Sequence, residues 1–174
     1  GPRARDLLKK VTSSDVSNEA HPYLMTKQIE INGAKVYAQR VSYAGELGWE
    51  LYVPYNRATM VWDMLLEAGE EFGIEVGGYK VLDALRLEKG YRYYTADVTQ
   101  QETPYEGGLG FCVDLNKKDF IGKAALAKQK AEGVKRKLCT LTVDGNDFTQ
   151  IYGGEAIYHE GEVLTRVRSG GWGY

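Results

Sequence analysis

The hydrophobic and polar positions of residues 24–53 alternate with the period of β-strands. Two alternating runs, residues 24–31 and 34–43, flank Asn32 and Gly33, a dipeptide that favours a two-residue hairpin turn. A third run follows Gly48 and ends before Pro54, a residue that cannot donate to a strand ladder. The pattern therefore predicts a three-stranded antiparallel meander with one packed face and one polar face.

The third predicted strand carries a carboxylate between apolar neighbours. Trp49, Leu51 and Val53 point to one face of the strand, whereas Glu50 and Tyr52 point to the other. Burying a carboxylate is costly unless donors reach it, so two interpretations of Glu50 are open. It belongs to a solvated outer face, or it accepts hydrogen bonds from a ligand.

Helical spacing follows the meander. Apolar residues at intervals of three and four predict a helix over residues 58–72, with Asn56 as its expected cap. A second helix is predicted over residues 79–89, where Asp83 and Arg86 lie three positions apart and so share one face. A third helix is predicted after residues 119–122 and ends at about Glu132.

The period changes again after Gly133. Residues 137–143, 155–158 and 163–167 show the alternation of short strands, and such strands at close spacing suggest a small β-barrel. The predicted fold class is therefore α+β: an antiparallel-sheet region with packed helices over residues 1–133, followed by part of a small β-barrel domain over residues 134–174.

Composition, charge and the positions of cysteine and histidine limit the classes of function that this chain can have. The 174 residues are 43% hydrophobic and 26% charged, an ordinary globular balance, and the net charge of −2 argues against nucleic-acid binding. No apolar run approaches the ~20 residues that span a bilayer, so no membrane partner is expected.

Cys112 and Cys139 are isolated from each other and have apolar neighbours in sequence, which predicts buried thiols and a reducing, cytoplasmic location. His21 and His159 lie far apart in sequence, so they give little basis for a metal site or a Ser-His-Asp triad.

Four segments carry a family resemblance. Residues 43–51 read Tyr-Ala-Gly-Glu-Leu-Gly-Trp-Glu-Leu, similar to the Tyr-Thr-Gly-Glu-Asp-Gly-Phe-Glu-Ile type of motif in the aminomethyltransferase family. That family includes the glycine cleavage T-protein and the tetrahydrofolate domains of dimethylglycine and sarcosine dehydrogenases. Residues 83–88, 103–109 and 119–126 resemble the family's Asp-x-Leu-Arg-Leu-Glu, Thr-Pro-x-Glu-x-Gly-Leu and Asp-Phe-Ile-Gly-x-x-Ala-Leu segments. The resemblance extends through nearly the whole chain.

The resemblance implies tetrahydrofolate as the cofactor and an amine-derived one-carbon donor. One carboxylate can accept both ring-edge N–H donors of a pteridine, as it does from a guanidinium. The resemblance implies five cofactor-binding residues: Tyr43, Glu50, Leu51, Tyr52 and Phe111. T-proteins usually carry an arginine where this chain has Leu82, so the dehydrogenase branch, with a flavin domain upstream in the parent chain, is favoured.

No catalytic residue is assigned. In the family an aspartate handles the proton, in a segment that precedes the stretch resembling residues 1–5, so the chain is expected to be a fragment. The function implied is a tetrahydrofolate-dependent module for aminomethyl or methylene transfer. The alternative is a non-catalytic folate-binding or assembly module on the same fold.

Overall fold

The computed structural model describes residues 1–145 and 147–172, and it divides into two compact units, Gly1–Lys89 and Gly90–Tyr174. Asn146, Gly173 and Tyr174, which belong to the predicted second domain, lie outside the described residues. The predicted domain boundary near Gly133 stays a prediction. In the described part of the chain, no helix combines the length and apolar character needed to cross a membrane.

The first unit is built on the predicted meander. Strands β1 (Thr26–Ile31), β2 (Ala34–Gln39) and β3 (Glu50–Tyr52) form an antiparallel sheet in that order. Asn32 and Gly33 connect β1 to β2 with φ angles of 45° and 74°. Positive φ at both central positions is the requirement of a type I′ turn, which explains the Asn-Gly sequence.

The strands are shorter than predicted, for local reasons. Leu24 has φ of 70°, outside the extended region, so β1 begins only at Thr26. The backbone N–H of Val41 donates to the carbonyl of Gln39, 3.0 Å away, and this tight turn ends β2. Residues 40–49 therefore form a longer connection than expected, and β3 has only three residues.

One face of the sheet packs on helices α1 (Ala4–Val11) and α2 (Ala58–Gly69). The core consists of one face of each helix, alternate residues of β1 and β2, and Val16 from the loop between α1 and β1. Its members are Leu8, Val11, Val16, Ile29, Ile31, Ala34, Val36, Ala38 and Val61. Met60 and Met64 pack against this core, as gap-fillers do. The predicted cap is wrong, because Asn56 lies inside a 3-10 turn (Tyr55–Arg57) and Arg57 occupies the N-cap position.

Helix α3 (Tyr79–Glu88) confirms the predicted Asp83–Arg86 pair. Nε of Arg86 donates to Oδ1 of Asp83 over 2.7 Å. The Arg86 side chain is buried whereas that of Asp83 is exposed, so the helix turns a charged group inward and holds it with a carboxylate at the surface.

The second unit contains helix α4 (Lys123–Glu132) and an antiparallel hairpin of β4 (Ala156–His159) and β5 (Glu162–Arg166), all as predicted. The strand predicted over residues 137–143 is wrong, because that segment pairs with no strand among the described residues. The predicted buried thiols are also wrong: Cys112 and Cys139 are both exposed. The mixture of helices and antiparallel sheets confirms the fold class, and the partial barrel stays a prediction.

Candidate functional site

The outer face of the sheet brings together two tyrosines, an amide and a carboxylate. In the β2–β3 register, Tyr37 lies opposite Tyr52 and Gln39 lies opposite Glu50. Side chains alternate across each strand, so Val36 and Ala38 enter the core while these four remain on the other face. Tyr37 and Tyr52 are 56% and 54% exposed, which leaves an aromatic surface beside the carboxylate.

Hydrogen bonds connect this group. The Tyr52 hydroxyl donates to Oε2 of Glu50 over 2.9 Å and lies 3.4 Å from Oε1 of Gln39. The hydrogen bond to Glu50 raises the pKa of the Tyr52 phenol, because ionisation would remove the donated proton and place a second negative charge beside the carboxylate. Glu50 is exposed, and an ionised carboxylate offers about four lone-pair sites in total. Acceptor capacity thus remains for donors arriving from solvent.

The neighbours of Glu50 fix its direction. Trp49, Leu51 and Val53 pack against the core, as the alternation predicts, so Glu50 is directed to the opposite face. Leu51, which the resemblance implies as a cofactor-binding residue, has its side chain on the core side, away from the side chains of Glu50 and Tyr52, and its cofactor role stays a prediction. Tyr43 is partly buried and lies in the irregular connection that leads into β3.

Phe111 belongs to the second unit. It lies in a 3-10 turn (Gly110–Cys112) and is 82% exposed. Its assignment to a cofactor site stays a prediction. Within residues 1–145 and 147–172, no three His, Cys, Asp or Glu side chains cluster in a way that could hold a metal ion.

Sequence reasoning missed Tyr37 and Gln39 as members of the group. Both belong to the predicted polar face of β2, but their pairing with Tyr52 and Glu50 depends on the register of β3. That register depends on the length of the connection between β2 and β3, and no sequence signal in residues 40–49 predicts where the connection ends. Alternation around Trp49 predicts that Glu50 and Tyr52 share the outer face, but it does not predict which residues of β2 lie opposite them.

Comparisons with known proteins identify the family. The model of the GCVT N-terminal domain matches residues 1–117, so this chain belongs to that family. The chain is 41% identical to dimethylglycine dehydrogenase, mitochondrial, from Homo sapiens over its whole length and covers 20% of that protein. It is 40% identical to an aminomethyltransferase from Caldanaerobacter subterraneus subsp. tengcongensis over 84% of the chain, covering 39% of that relative.

A solved structure agrees with the fold. The glycine cleavage system aminomethyltransferase T from Bartonella henselae superposes with a TM-score of 0.77 at 24% identity, over 97% of this chain and 45% of that one. The resemblance to aminomethyltransferases and to dimethylglycine and sarcosine dehydrogenases is thereby confirmed. The chain spans about a fifth of the length of the human relative. That relative is named as mitochondrial, and the cytoplasmic location of this chain stays a prediction.

Proposed function

We propose that this chain is the tetrahydrofolate-binding part of a one-carbon transferase, and that Glu50 is the carboxylate that receives the pteridine. The observation that carries the proposal is the exposed Glu50 carboxylate, oriented by the Tyr52 hydroxyl at 2.9 Å on an open sheet face. Membership of the GCVT N-terminal domain family and the aminomethyltransferase relatives support it.

The residues present fit this ligand chemically. A pteridine edge offers adjacent N–H donors, and a carboxylate with free lone pairs can accept two of them in parallel. Tyr52 and Tyr37 offer half-exposed rings against which a flat heterocycle can stack. Tetrahydrofolate supplies, when bound, a ring nitrogen that takes up the one-carbon unit. The role of these side chains is then to bind and orient, which can account for a large share of a transfer rate.

The names of two relatives support a proposal for the one-carbon donor. Two of them are named as dehydrogenases of dimethylglycine and of sarcosine. We propose an amine-derived one-carbon donor and a flavin domain in the same parent chain. Leu82, which stands where T-proteins usually have an arginine, supports the dehydrogenase branch over glycine cleavage.

Calorimetric titration of the full-length protein with tetrahydrofolate tests the proposal. Glu50→Gln replaces one acceptor oxygen with a donor and removes the charge. Hydrogen bonds to charged groups are worth about 1.5–3 kcal/mol, so affinity should fall roughly tenfold to a hundredfold.

Glu30→Gln is the matched control, because Glu30 is an exposed carboxylate on the same sheet, in β1. It should leave affinity unchanged. Equal tetrahydrofolate affinities for the wild type and Glu50→Gln would show that Glu50 is a solvated side chain of the outer face and does not bind the ligand. Tight binding without methylene transfer in the same protein would instead support the non-catalytic folate-binding module.

A further inference from the structure

A fully buried histidine lies at the base of the connection between β2 and β3. His21 has no exposed surface, and both of its ring nitrogens face polar atoms. Nδ1 lies 3.4 Å from Nε1 of Trp49, and Nε2 lies 3.2 Å from the carbonyl oxygen of Met25. The imidazole and the indole meet edge to face, with centroids 6.0 Å apart.

These two partners assign the tautomer. The indole N–H of Trp49 only donates, so Nδ1 of His21 must be the unprotonated acceptor. A carbonyl only accepts, so Nε2 carries the proton and donates it to Met25. In this arrangement Nε2 is the donor and Nδ1 is the acceptor, so both hydrogen-bonding positions of the His21 ring are used.

His21 also holds the other end of the connection. Nη1 of Arg40 donates to the His21 carbonyl over 2.9 Å, and the backbone N–H of Arg40 donates to the Met25 carbonyl, also over 2.9 Å. Arg40 is the first residue of the connection and Trp49 is the last. One buried residue thus binds both ends of residues 40–49.

This connection needs such an anchor. It contains no helix or strand, and β3, which follows it, pairs with β2 at only three positions. Glu50 is the first residue of β3, so the side-chain direction of Glu50 is set by the ladder on one side and by Trp49 on the other. Trp49 in turn depends on His21 for the hydrogen bond of its indole.

We propose that His21 is a positioning residue, whose imidazole acts through Trp49 to hold Tyr43 and Glu50 in place for the ligand. The inference rests on the proposed function of Glu50. The Arg5 and Arg40 guanidinium groups lie 5.6 and 5.9 Å from the Trp49 ring, so the indole is fixed from several sides. Loss of Nδ1 of His21 as an acceptor removes the hydrogen bond of the Trp49 indole, and Trp49, which precedes Glu50, is then held less firmly.

Three variants test the proposal. His21→Leu removes both hydrogen bonds of the ring, and Trp49→Phe removes the same indole bond from the other side while keeping an aromatic ring. His21→Asn is the conservative variant, because its side-chain oxygen can occupy a position near Nδ1. Hydrogen exchange measured by mass spectrometry, in the full-length protein without ligand, reports how well ordered the backbone of residues 41–49 is. Calorimetry reports tetrahydrofolate affinity.

His21→Leu and Trp49→Phe should each speed exchange in residues 41–49 and weaken tetrahydrofolate binding about threefold to tenfold, the effect of one neutral hydrogen bond. The two changes should be non-additive, and His21→Asn should restore most of the affinity. Where Glu50→Gln weakens binding but Trp49→Phe changes neither exchange nor affinity, the positioning role is refuted and the proposed function stands. Where Glu50→Gln leaves binding unchanged, the proposed function itself fails, and the exchange data still decide whether His21 anchors the connection.

Discussion

Asp83 should behave as a core residue in a stability measurement, although its side chain is 59% exposed. Its carboxylate lies 2.7 Å from Nε of Arg86, whose side chain is only 2% exposed. Asp83→Ala therefore leaves a buried guanidinium without this carboxylate. Removing Arg86 instead would also delete a large, fully buried side chain and its packing, so Asp83→Ala is the cleaner test of the pair.

The expected loss of stability depends on the difference in burial between Arg86 and Asp83. Breaking a buried ion pair costs about 3–5 kcal/mol, whereas an exposed pair is worth about 0–1 kcal/mol. Arg86 keeps further interactions, and Ala favours the helix, so both effects reduce the loss. We expect the free energy of unfolding to fall by about 2 kcal/mol, close to the worth of one hydrogen bond to a charged group.

Urea unfolding of the chain, followed by tryptophan fluorescence, measures this change. With a urea dependence of about 2 kcal/mol per M, the midpoint should fall by about 1 M. Asp63→Ala is the matched control, since Asp63 is an exposed aspartate in helix α2 and should shift stability by no more than about 0.5 kcal/mol. In an Arg86→Met background, Asp83→Ala should lose most of its cost. Equal effects of the Asp83 and Asp63 variants would refute the reasoning.

Two further predictions concern ionisation. Hydrogen bonds from Thr99 lower the pKa of Glu102 below its ordinary value of 4.5. Its stabilising contribution is then complete above pH 4.5 and lost as pH falls through the lower folded pKa, so urea midpoints should decline in acid, and less steeply for Glu102→Gln. An equal decline in both proteins would contradict this. For Tyr52, the difference in ultraviolet absorbance between wild type and Tyr52→Phe should show phenolate forming above pH 10.0, and Glu50→Gln should shift that titration downward. A titration that Glu50→Gln leaves in place would show that the hydrogen bond does not persist in solution.

Local signals in the sequence predicted local structure well. The Asn32-Gly33 turn, the alternation around Glu50 and the Asp83–Arg86 pair each depend on residues within a few positions of one another. Their geometry is fixed by the period of a strand or a helix, so they were confirmed. The direction of Glu50 is also a local feature, because the two faces of β3 follow from the alternation of residues 49–53.

Features that depend on distant partners could not be predicted. Alternation over residues 137–143 indicates only a tendency, because a strand exists where another strand pairs with it, and none does among the described residues. The same uncertainty applied to Cys112 and Cys139, whose apolar neighbours in sequence do not cover them in space. The role of His21 could not be predicted for a related reason, because Trp49 and Arg40 are distant from it in sequence and contact it only after folding.

The two-residue turn at Asn32-Gly33 places an unusual restriction on how this segment can change. Side chains alternate between the faces with a period of two, so a single inserted or deleted residue in the turn would exchange the faces of β2. Tyr37 and Gln39 would then point inward, and Val36 and Ala38 would point to solvent. Substitutions on the outer face can accumulate without disturbing the core beneath. The fold of this hairpin therefore constrains the number of residues in the turn more tightly than the identities of most side chains on its outer face.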